Sequence, residues 1–194
     1  MHQHRRLTQL LSYQFNPHLS REESITSILV KALTVFPSPD FSLCLHLLPP
    51  SSLIPNGPDT STLADSVQKL NGLNNQLSSG DYTSFWNTFR SDDIYADLVA
   101  EVSGFEELMR LRIAAMVSQS VREIERGVLE EWLDLEGGKF EAFVTEECGW
   151  VVEGAWVRVP LNKENEAKGT VVTENVKFER KCCAEESECG RCLC

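Results

Sequence analysis

The sequence predicts a mainly α-helical protein, in which stacked amphipathic helices are followed by three helices and a small sheet in the order of a winged helix. Three observations lead to this prediction. Apolar residues recur at helical spacing through most of the first 117 residues. Short β-branched and aromatic runs then flank a Glu153-Gly154 turn, the pattern of a hairpin. The last thirteen residues carry neither pattern and hold five of the seven cysteines.

The first part of the chain is predicted to be a series of helices. Apolar spacing places them at residues 5–12, 25–36, 41–48 and 63–77, from residue 81 onward, around 94–99, and at 105–117. Ser20 and Glu23 have capping-box spacing before the second helix, and Asp40 is predicted to cap the third. Residues 49–61 hold four prolines and one glycine and are predicted to form a loop. Because these helices cannot bury their apolar faces alone, we expect them to stack over residues 1–117.

The stretch from residue 117 to residue 160 is predicted to hold two short helices, a third helix and a compact hairpin. Ser120 and Glu123 have capping-box spacing, so a helix is predicted to begin near Ser120. Gly127 is predicted to interrupt that helix with a turn or a tight packing point. Gly149 suits the end of the third helix because glycine reaches the left-handed conformation without a Cβ penalty. With a last strand predicted over residues 171–178, the winged helix covers residues 118–181.

Charge and hydropathy limit the possible partners. The 18 Lys and Arg residues face 29 Asp and Glu residues, which gives a net charge of −11 and a pI near 4.8. An acidic chain is repelled by phosphate backbones at long range, so protein partners are favoured over nucleic acid. No apolar run approaches the ~20 residues that span a bilayer. The sequence therefore predicts a soluble intracellular protein that does not bind membranes.

The cysteines are concentrated in a tail, residues 182–194, that is predicted to be disordered. Cys189 and Cys192 have the two-residue spacing of one half of a zinc site, but the second ligand pair is missing at a structural separation. The sequence therefore favours a redox-sensitive tail without a metal, and zinc binding is the alternative. Cys44 and Cys148 are predicted to be small core hydrophobes. The tail cysteines are Cys182, Cys183, Cys189, Cys192 and Cys194.

Neither catalysis nor sequence-specific DNA binding is predicted. The chain has no phosphate-binding glycine loop, no nucleophile elbow and no helical pair of metal-binding histidines, so no catalytic residue and no cofactor are assigned. The predicted third helix of the winged helix offers Lys139 against Glu141, Glu146 and Glu147. The hairpin adds only Arg158. Incidental RNA contact within a complex stays open.

The four tryptophans divide into two pairs. Trp86 and Trp132 lie on periodic apolar faces and are predicted to be core residues. Trp150 and Trp156 flank the turn of the small sheet, where core packing and contact with a partner are equally compatible with the pattern. Together with Arg158 they are the candidate partner interface.

Several segments resemble one protein family, the k subunits of eukaryotic translation initiation factor three. The resemblance runs in one order from about residue 13 to residue 179. Its segments are Tyr13-Gln14-Phe15-Asn16-Pro17, Ile28-Leu29-Val30-Lys31-Ala32-Leu33-Thr34, Pro39-Asp40-Phe41-Ser42-Leu43-Cys44, Phe85-Trp86, Gly104-Phe105-Glu106, Gly149-Trp150 and Glu174-Asn175-Val176-Lys177-Phe178-Glu179.

The resemblance implies a PCI-type architecture, with a HEAT-like helical-repeat domain before the winged helix. It also implies a non-catalytic scaffold subunit in the cytoplasm that docks chiefly on the l subunit and reaches the small ribosomal subunit through the complex. The alternatives are a scaffold subunit of another PCI complex, such as the proteasome lid or the signalosome, and a nucleic-acid-binding winged-helix protein. Family members have further helices before the segment matching Tyr13, so the resemblance also gives the expectation of a shortened N-terminus.

Overall fold

The computed structural model describes residues 8, 10–13, 16, 21–50, 53 and 63–166, and this part of the chain is mainly helical. After the helical residues 8 and 10–13, the helices with described bounds are α1 (Glu22–Leu33), α2 (Asp40–Leu47), α3 (Leu63–Ser79), α4 (Tyr82–Ser91), α5 (Asp93–Val99) and α6 (Phe105–Ser120). They are followed by β1 (Glu123–Glu125), α7 (Arg126–Leu133), α8 (Gly137–Ala142), a π-helical turn (Phe143–Glu147), β2 (Val151–Glu153) and β3 (Trp156–Arg158).

Helices α1 and α3 to α6 confirm the apolar spacing that predicted them. In α4 the Asp81 carboxylate accepts a hydrogen bond from the Ser84 N–H at 3.1 Å, which satisfies a free amide at the helix start. The aromatic residues that follow Asp81 then face the core. Helix α6 begins after Gly104, whose positive φ of 71° suits glycine. Apolar periodicity therefore sufficed to predict these elements, and α4 and α5 also begin after an aspartate whose carboxylate accepts a backbone hydrogen bond.

The outcome for the predicted helices near the chain start is mixed. Residues 8 and 10–13 are helical, and the rest of the predicted first helix lies outside the described residues, as do Ser20 and most of residues 49–61. Helix α2 forms, but Asp40 is its first residue rather than its cap. Phe41 and Cys44 of this helix face the core, whereas Leu43 is exposed.

The prediction of a helix beginning near Ser120 is wrong. Ser120 is the last residue of α6, and its hydroxyl donates to the Met116 carbonyl at 2.8 Å. The next residues form β1, where buried Ile124 lies between two exposed glutamates. A pattern of only three residues fits both a strand and one turn of a helix, so the sequence does not distinguish a strand from a helix here. Gly127 is not a turn but the second residue of α7.

The small sheet has the strand order β1-β3-β2, and both pairings are antiparallel. Ile124, Val157 and Val152 lie side by side in the register and form its inner face. The hairpin between β2 and β3 confirms the predicted turn, and Gly154 has a positive φ of 64° there. The predicted strand over residues 171–178 and the cysteine tail lie outside the described residues.

One continuous hydrophobic core extends from Leu10 to Val159 and includes both the helices and the inner face of the sheet. Trp86 joins the two parts, since its indole N–H donates to the Trp132 carbonyl at 2.9 Å. Trp86 is buried and Trp132 is partly buried against the core, as predicted. Cys44 is buried and Cys148 is half-buried. The predicted domain boundary after residue 117 falls inside α6, which continues to Ser120.

Candidate partner interface

The candidate interface is the solvent-facing side of the three-stranded sheet, here called the outer sheet face. Two cross-strand rows form it. Glu123, Arg158 and Val151 are aligned in one row. Glu125, Trp156 and Glu153 are aligned in the other. Because successive side chains of a strand point to opposite sides, the burial of Val157 on the inner face fixes Trp156 and Arg158 on the outer one.

Trp156 is the largest apolar group on the outer sheet face, and 54% of its surface is exposed. Val151 is exposed on the same face, and Leu161 is exposed just beyond β3. A tryptophan left this accessible on a short, well-paired strand is typical of contact sites, where large aromatic side chains supply much of the binding energy. The structure therefore presents an aromatic and aliphatic cluster to solvent at this position.

Arg158 is held in place by two carboxylates from the neighbouring strands. Its Nη1 lies 2.8 Å from Glu153 Oε1, and its Nε lies 3.3 Å from Glu123 Oε1. Half-exposed ion pairs of this kind add little stability, but they orient the guanidinium on the face of the sheet that also carries Trp156. With both carboxylates in contact, the guanidinium is poorly suited to bind a phosphate.

Trp150 does not belong to the exposed surface. Only 5% of its surface is accessible, and its backbone N–H donates to the Val144 carbonyl at 2.9 Å. Gly149, with a φ of 67°, turns the chain so that Trp150 enters the core before β2 starts. The structure therefore brings Trp156 and Arg158 together on one face of the sheet and buries Trp150 in the core. The assignment of Trp150 to a partner interface stays a prediction, and the burial of its side chain argues against it.

A groove of about 680 Å³ runs along the edge of the outer sheet face. The Val159 N–H donates to the Arg122 carbonyl at 2.8 Å, and both residues line the groove. Exposed Val151 and Leu161 give the groove apolar walls. Neither residue is recognisable from the sequence as part of a surface, because Val151 continues an apolar run and Leu161 stands alone after Pro160. The groove is lined by Arg122, Glu123, Val151, Arg158, Val159, Pro160 and Leu161.

Three further features of the described residues bear on metal binding, cysteine reactivity and membrane spanning. Within the described residues, no group of three or more histidine, cysteine or acidic side chains is placed to hold a metal ion. Burial, together with the nearby Glu147 charge, raises the pKa of the Cys148 thiol to about 11, so this thiol stays protonated at neutral pH. No helix in the part of the chain that the structure describes is long and apolar enough to cross a membrane.

The surface of α8 and the π-helical turn is acidic, as the sequence indicates. Lys139 is exposed there among three exposed glutamates, Glu141, Glu146 and Glu147. Arg126 faces the same surface, but its Nη1 is 2.9 Å from Glu141 Oε1 and its Nε is 2.8 Å from Glu130 Oε1. This surface therefore repels rather than attracts a nucleic-acid backbone.

Comparison with known proteins gives consistent matches. A family model described as the CSN8/PSMD8/EIF3K family matches residues 19–171. The chain is 60% identical over 181 residues to "Eukaryotic translation initiation factor 3 subunit K" of Phaeosphaeria nodorum, covering 90% of this chain and 74% of the relative. It is 49% identical over 172 residues to the protein of the same name from Pyricularia oryzae, covering 89% and 71%. The resemblance seen in the sequence is thus confirmed, and the chain belongs to the CSN8/PSMD8/EIF3K family, among the K subunits of eukaryotic translation initiation factor 3.

Proposed function

We propose that this chain is a non-catalytic scaffold subunit of eukaryotic translation initiation factor 3, and that it takes part in assembly of the initiation complex on the small ribosomal subunit. The relatives that share about half or more of its residues carry the name of that factor's subunit K. The observation that carries the mechanism is the outer sheet face, where an exposed tryptophan and a fixed arginine lie on a rigid, well-paired sheet.

We infer that the last residues of α6 and the elements after it form a winged helix over residues 118–181, following a HEAT-like domain over residues 1–117. The support is the order of elements, in which a helix, a strand, two helices and a hairpin succeed one another. The strand order β1-β3-β2, with the first strand beside the last, also supports this assignment. Such an arrangement is the PCI-type architecture that the sequence resemblance implies.

The partner at the outer sheet face is proposed to be another subunit of the factor, chiefly the l subunit. Interface cores favour large aromatic side chains and preformed polar groups, and Trp156 beside Arg158 provides both. Glu125 and Glu153 flank Trp156 in the register, so a partner surface with basic residues at its rim fits best. Contact with the small ribosomal subunit is then proposed to be indirect, through the complex, in the cytoplasm.

The family description also names proteins of two other kinds, CSN8 and PSMD8, so a different multi-subunit complex is the second candidate. The identity of 49–60% to proteins named initiation factor subunit K favours the first candidate. A nucleic-acid-binding winged helix is disfavoured by the carboxylates around Lys139 and Arg158.

The test is recovery of the complex from cell extract on tagged protein, with and without ribonuclease. Wild-type protein is expected to recover initiation factor 3 subunits, the l subunit foremost, regardless of ribonuclease. Trp156→Ala is expected to weaken recovery by about tenfold or more, because a central aromatic anchor contributes roughly 2 kcal/mol or more to binding. Leu43→Ala is the matched control, since Leu43 is also exposed but lies on α2.

Three results would contradict the proposal. Equal recovery with Trp156→Ala and wild type would remove the outer sheet face as the contact. Recovery of subunits of a different complex would assign the chain to that complex. Recovery that needs intact RNA would favour a nucleic-acid partner.

A further inference from the structure

A second groove is lined by residues of the helices and by no residue of the sheet. It has a volume of about 700 Å³ and lies between the N-terminal turn of α1, the first half of α3, and α5. Its apolar floor is formed by Leu63, Ile94 and Leu98. Ile94 is 45% exposed although it sits on a short helix packed against the core. This groove is here called the acidic groove.

The rim of the acidic groove is strongly negative. Five carboxylates line it, and the one lysine among the lining residues, Lys69, already contacts Asp92 at 3.2 Å. Within the described residues, the ion pairs leave Glu23, Asp97 and Glu101 without a cationic partner. The rim carboxylates are Glu22, Glu23, Asp65, Asp97 and Glu101.

The helix dipole favours only some of the carboxylates at the rim of the acidic groove. Glu22, Glu23 and Asp65 lie in the first turns of α1 and α3, where a carboxylate is favoured by the helix dipole. Asp97 lies near the C-terminus of α5 and Glu101 lies just beyond it, where the dipole disfavours negative charge. No basic residue occupies the last turn of α5 to compensate. These two carboxylates therefore act against the local helix while adding to the charge of the groove.

We propose that the acidic groove binds a basic amphipathic helix of another protein. An apolar stripe on such a helix would cover Ile94 and Leu98, and lysine or arginine side chains at its edges would meet the carboxylates on both sides. This matches the i, i+3, i+4, i+7 pattern by which grooves recognise helices. The inference does not depend on the outer sheet face and adds a second partner class to the proposed function.

The test is direct binding of a synthetic probe to the purified chain of 194 residues. The probe is a fluorescent helical peptide of about 14 residues, with leucines at helical spacing and lysines elsewhere. A peptide of the same composition in scrambled order keeps the charge but has no apolar face. Fluorescence anisotropy at about 0.15 M salt is expected to show at least about tenfold tighter binding of the helical peptide, because bulk attraction to an acidic protein is largely screened there.

Matched variants locate the site. The triple variant Glu23→Gln, Asp97→Asn and Glu101→Gln is expected to weaken binding by about tenfold, as three surface charge contacts would. The control triple variant Glu131→Gln, Glu146→Gln and Glu147→Gln removes the same charge from exposed positions outside the groove and is expected to change binding less than about twofold. Far-UV circular dichroism verifies that both variants are folded.

A second pair of variants tests the apolar floor. Ile94→Gln is expected to weaken the helical peptide by about fivefold through lost apolar contact. Leu111→Gln changes an equally exposed aliphatic residue on α6 and is expected to leave binding unchanged. Hydrogen exchange with bound peptide is expected to protect residues 22–27, 63–69 and 94–101.

The proposal is overturned if the two triple variants weaken binding equally, because the attraction would then follow net charge alone. Equal binding of the scrambled peptide, no effect of Ile94→Gln, or protection at the sheet in place of the groove would each overturn it too. Loss of initiation factor subunits from the Trp156→Ala pull-down has no bearing on these readouts, so the two proposals fail independently.

Discussion

Arg110 is a buried cation whose hydrogen bonds and charge are satisfied inside the fold. Only 8% of its surface is exposed. Its Nε donates to the Leu133 carbonyl at 3.0 Å, and its Nη2 donates to Glu106 Oε2 at 2.8 Å. The guanidinium also lies over the Trp86 ring, 5.1 Å from its centroid. One side chain of α6 therefore joins the end of α7 to the aromatic face of α4.

Replacing Arg110 tests how much its contacts with α7 and α4 contribute to stability. Arg110→Met is expected to lower the free energy of unfolding by about 2 kcal/mol, because the Leu133 carbonyl loses its donor in a buried site. Urea unfolding followed by circular dichroism measures the change. Arg122→Met is the control, since Arg122 is exposed, and it is expected to change stability by less than about 0.5 kcal/mol. Equal effects of the two substitutions would contradict the role assigned to Arg110.

The Cys148 thiol is predicted to be unreactive in the folded protein. Burial, aided by the Glu147 charge, raises its pKa to about 11, so its thiolate fraction at about pH 8 is roughly 100-fold below that of an ordinary cysteine. Alkylation with iodoacetamide followed by peptide mass mapping is expected to show Cys148 reacting about 100-fold more slowly in native than in urea-unfolded protein. The native rate is expected to rise about tenfold per pH unit between roughly pH 8 and 10. Similar rates in both states would contradict the prediction.

At the scale of elements, two glycines have opposite requirements. Gly127 lies in helix α7, and an added Cβ would meet no atom within 4 Å. Gly149 also has free space around it, but its φ of +67° is a conformation that residues with a side chain rarely adopt. The first glycine is therefore replaceable, whereas the second is required by the turn that directs Trp150 into the core.

Alanine substitutions separate these two cases. Gly127→Ala is expected to stabilise the protein by about 0.5 kcal/mol, because alanine loses less backbone entropy in a helix. Gly149→Ala is expected to destabilise it by about 1 kcal/mol through left-handed strain. Thermal unfolding measures both shifts. Since each substitution adds one methyl group, changes of the same sign would show that the backbone conformation is not the cause.

The elements that the sequence predicted well are those whose signals are local. Helix α4 combines apolar periodicity with a capping aspartate, α6 follows a glycine of positive φ, and α3 has apolar periodicity alone, so the existence of all three follows from the pattern. Strand β1 was missed because it has three residues and exists only through its pairing with β3. No local feature of Glu123 to Glu125 records a partner more than thirty residues away.

The candidate interface was predictable to the same limited degree. Alternation placed Trp156 and Arg158 on one side of a strand, and the structure has them on the outer sheet face. Trp150 could not be assigned from the pattern, because it precedes β2 and its direction is set by the backbone turn at Gly149. The exposure of Val151 and Leu161, and the acidic groove, depend on which surfaces other elements cover. Which surfaces stay uncovered is decided by tertiary packing and not by the local sequence.

At the scale of the whole molecule, the described residues share one hydrophobic core. The core includes Phe85 of α4, Ile113 of α6 and Val157 of β3, so the helices and the sheet bury one another. We therefore predict a single cooperative unfolding transition, in which far-UV circular dichroism and tryptophan fluorescence change together in urea. Two separate transitions would show instead that the proposed boundary after residue 117 divides independently stable domains.

The shared core also bears on the fate of copies that find no partner. A protease cuts a folded chain mainly through its open states, and a core that links all elements leaves few local openings. The lifetime of an orphan copy would then follow its global stability, so a loss of 1–2 kcal/mol in the core raises the cleavable population by roughly 5- to 30-fold. The hydrogen bonds that Trp86 and Arg110 donate to the backbone at the end of α7 would thus govern how much surplus subunit accumulates.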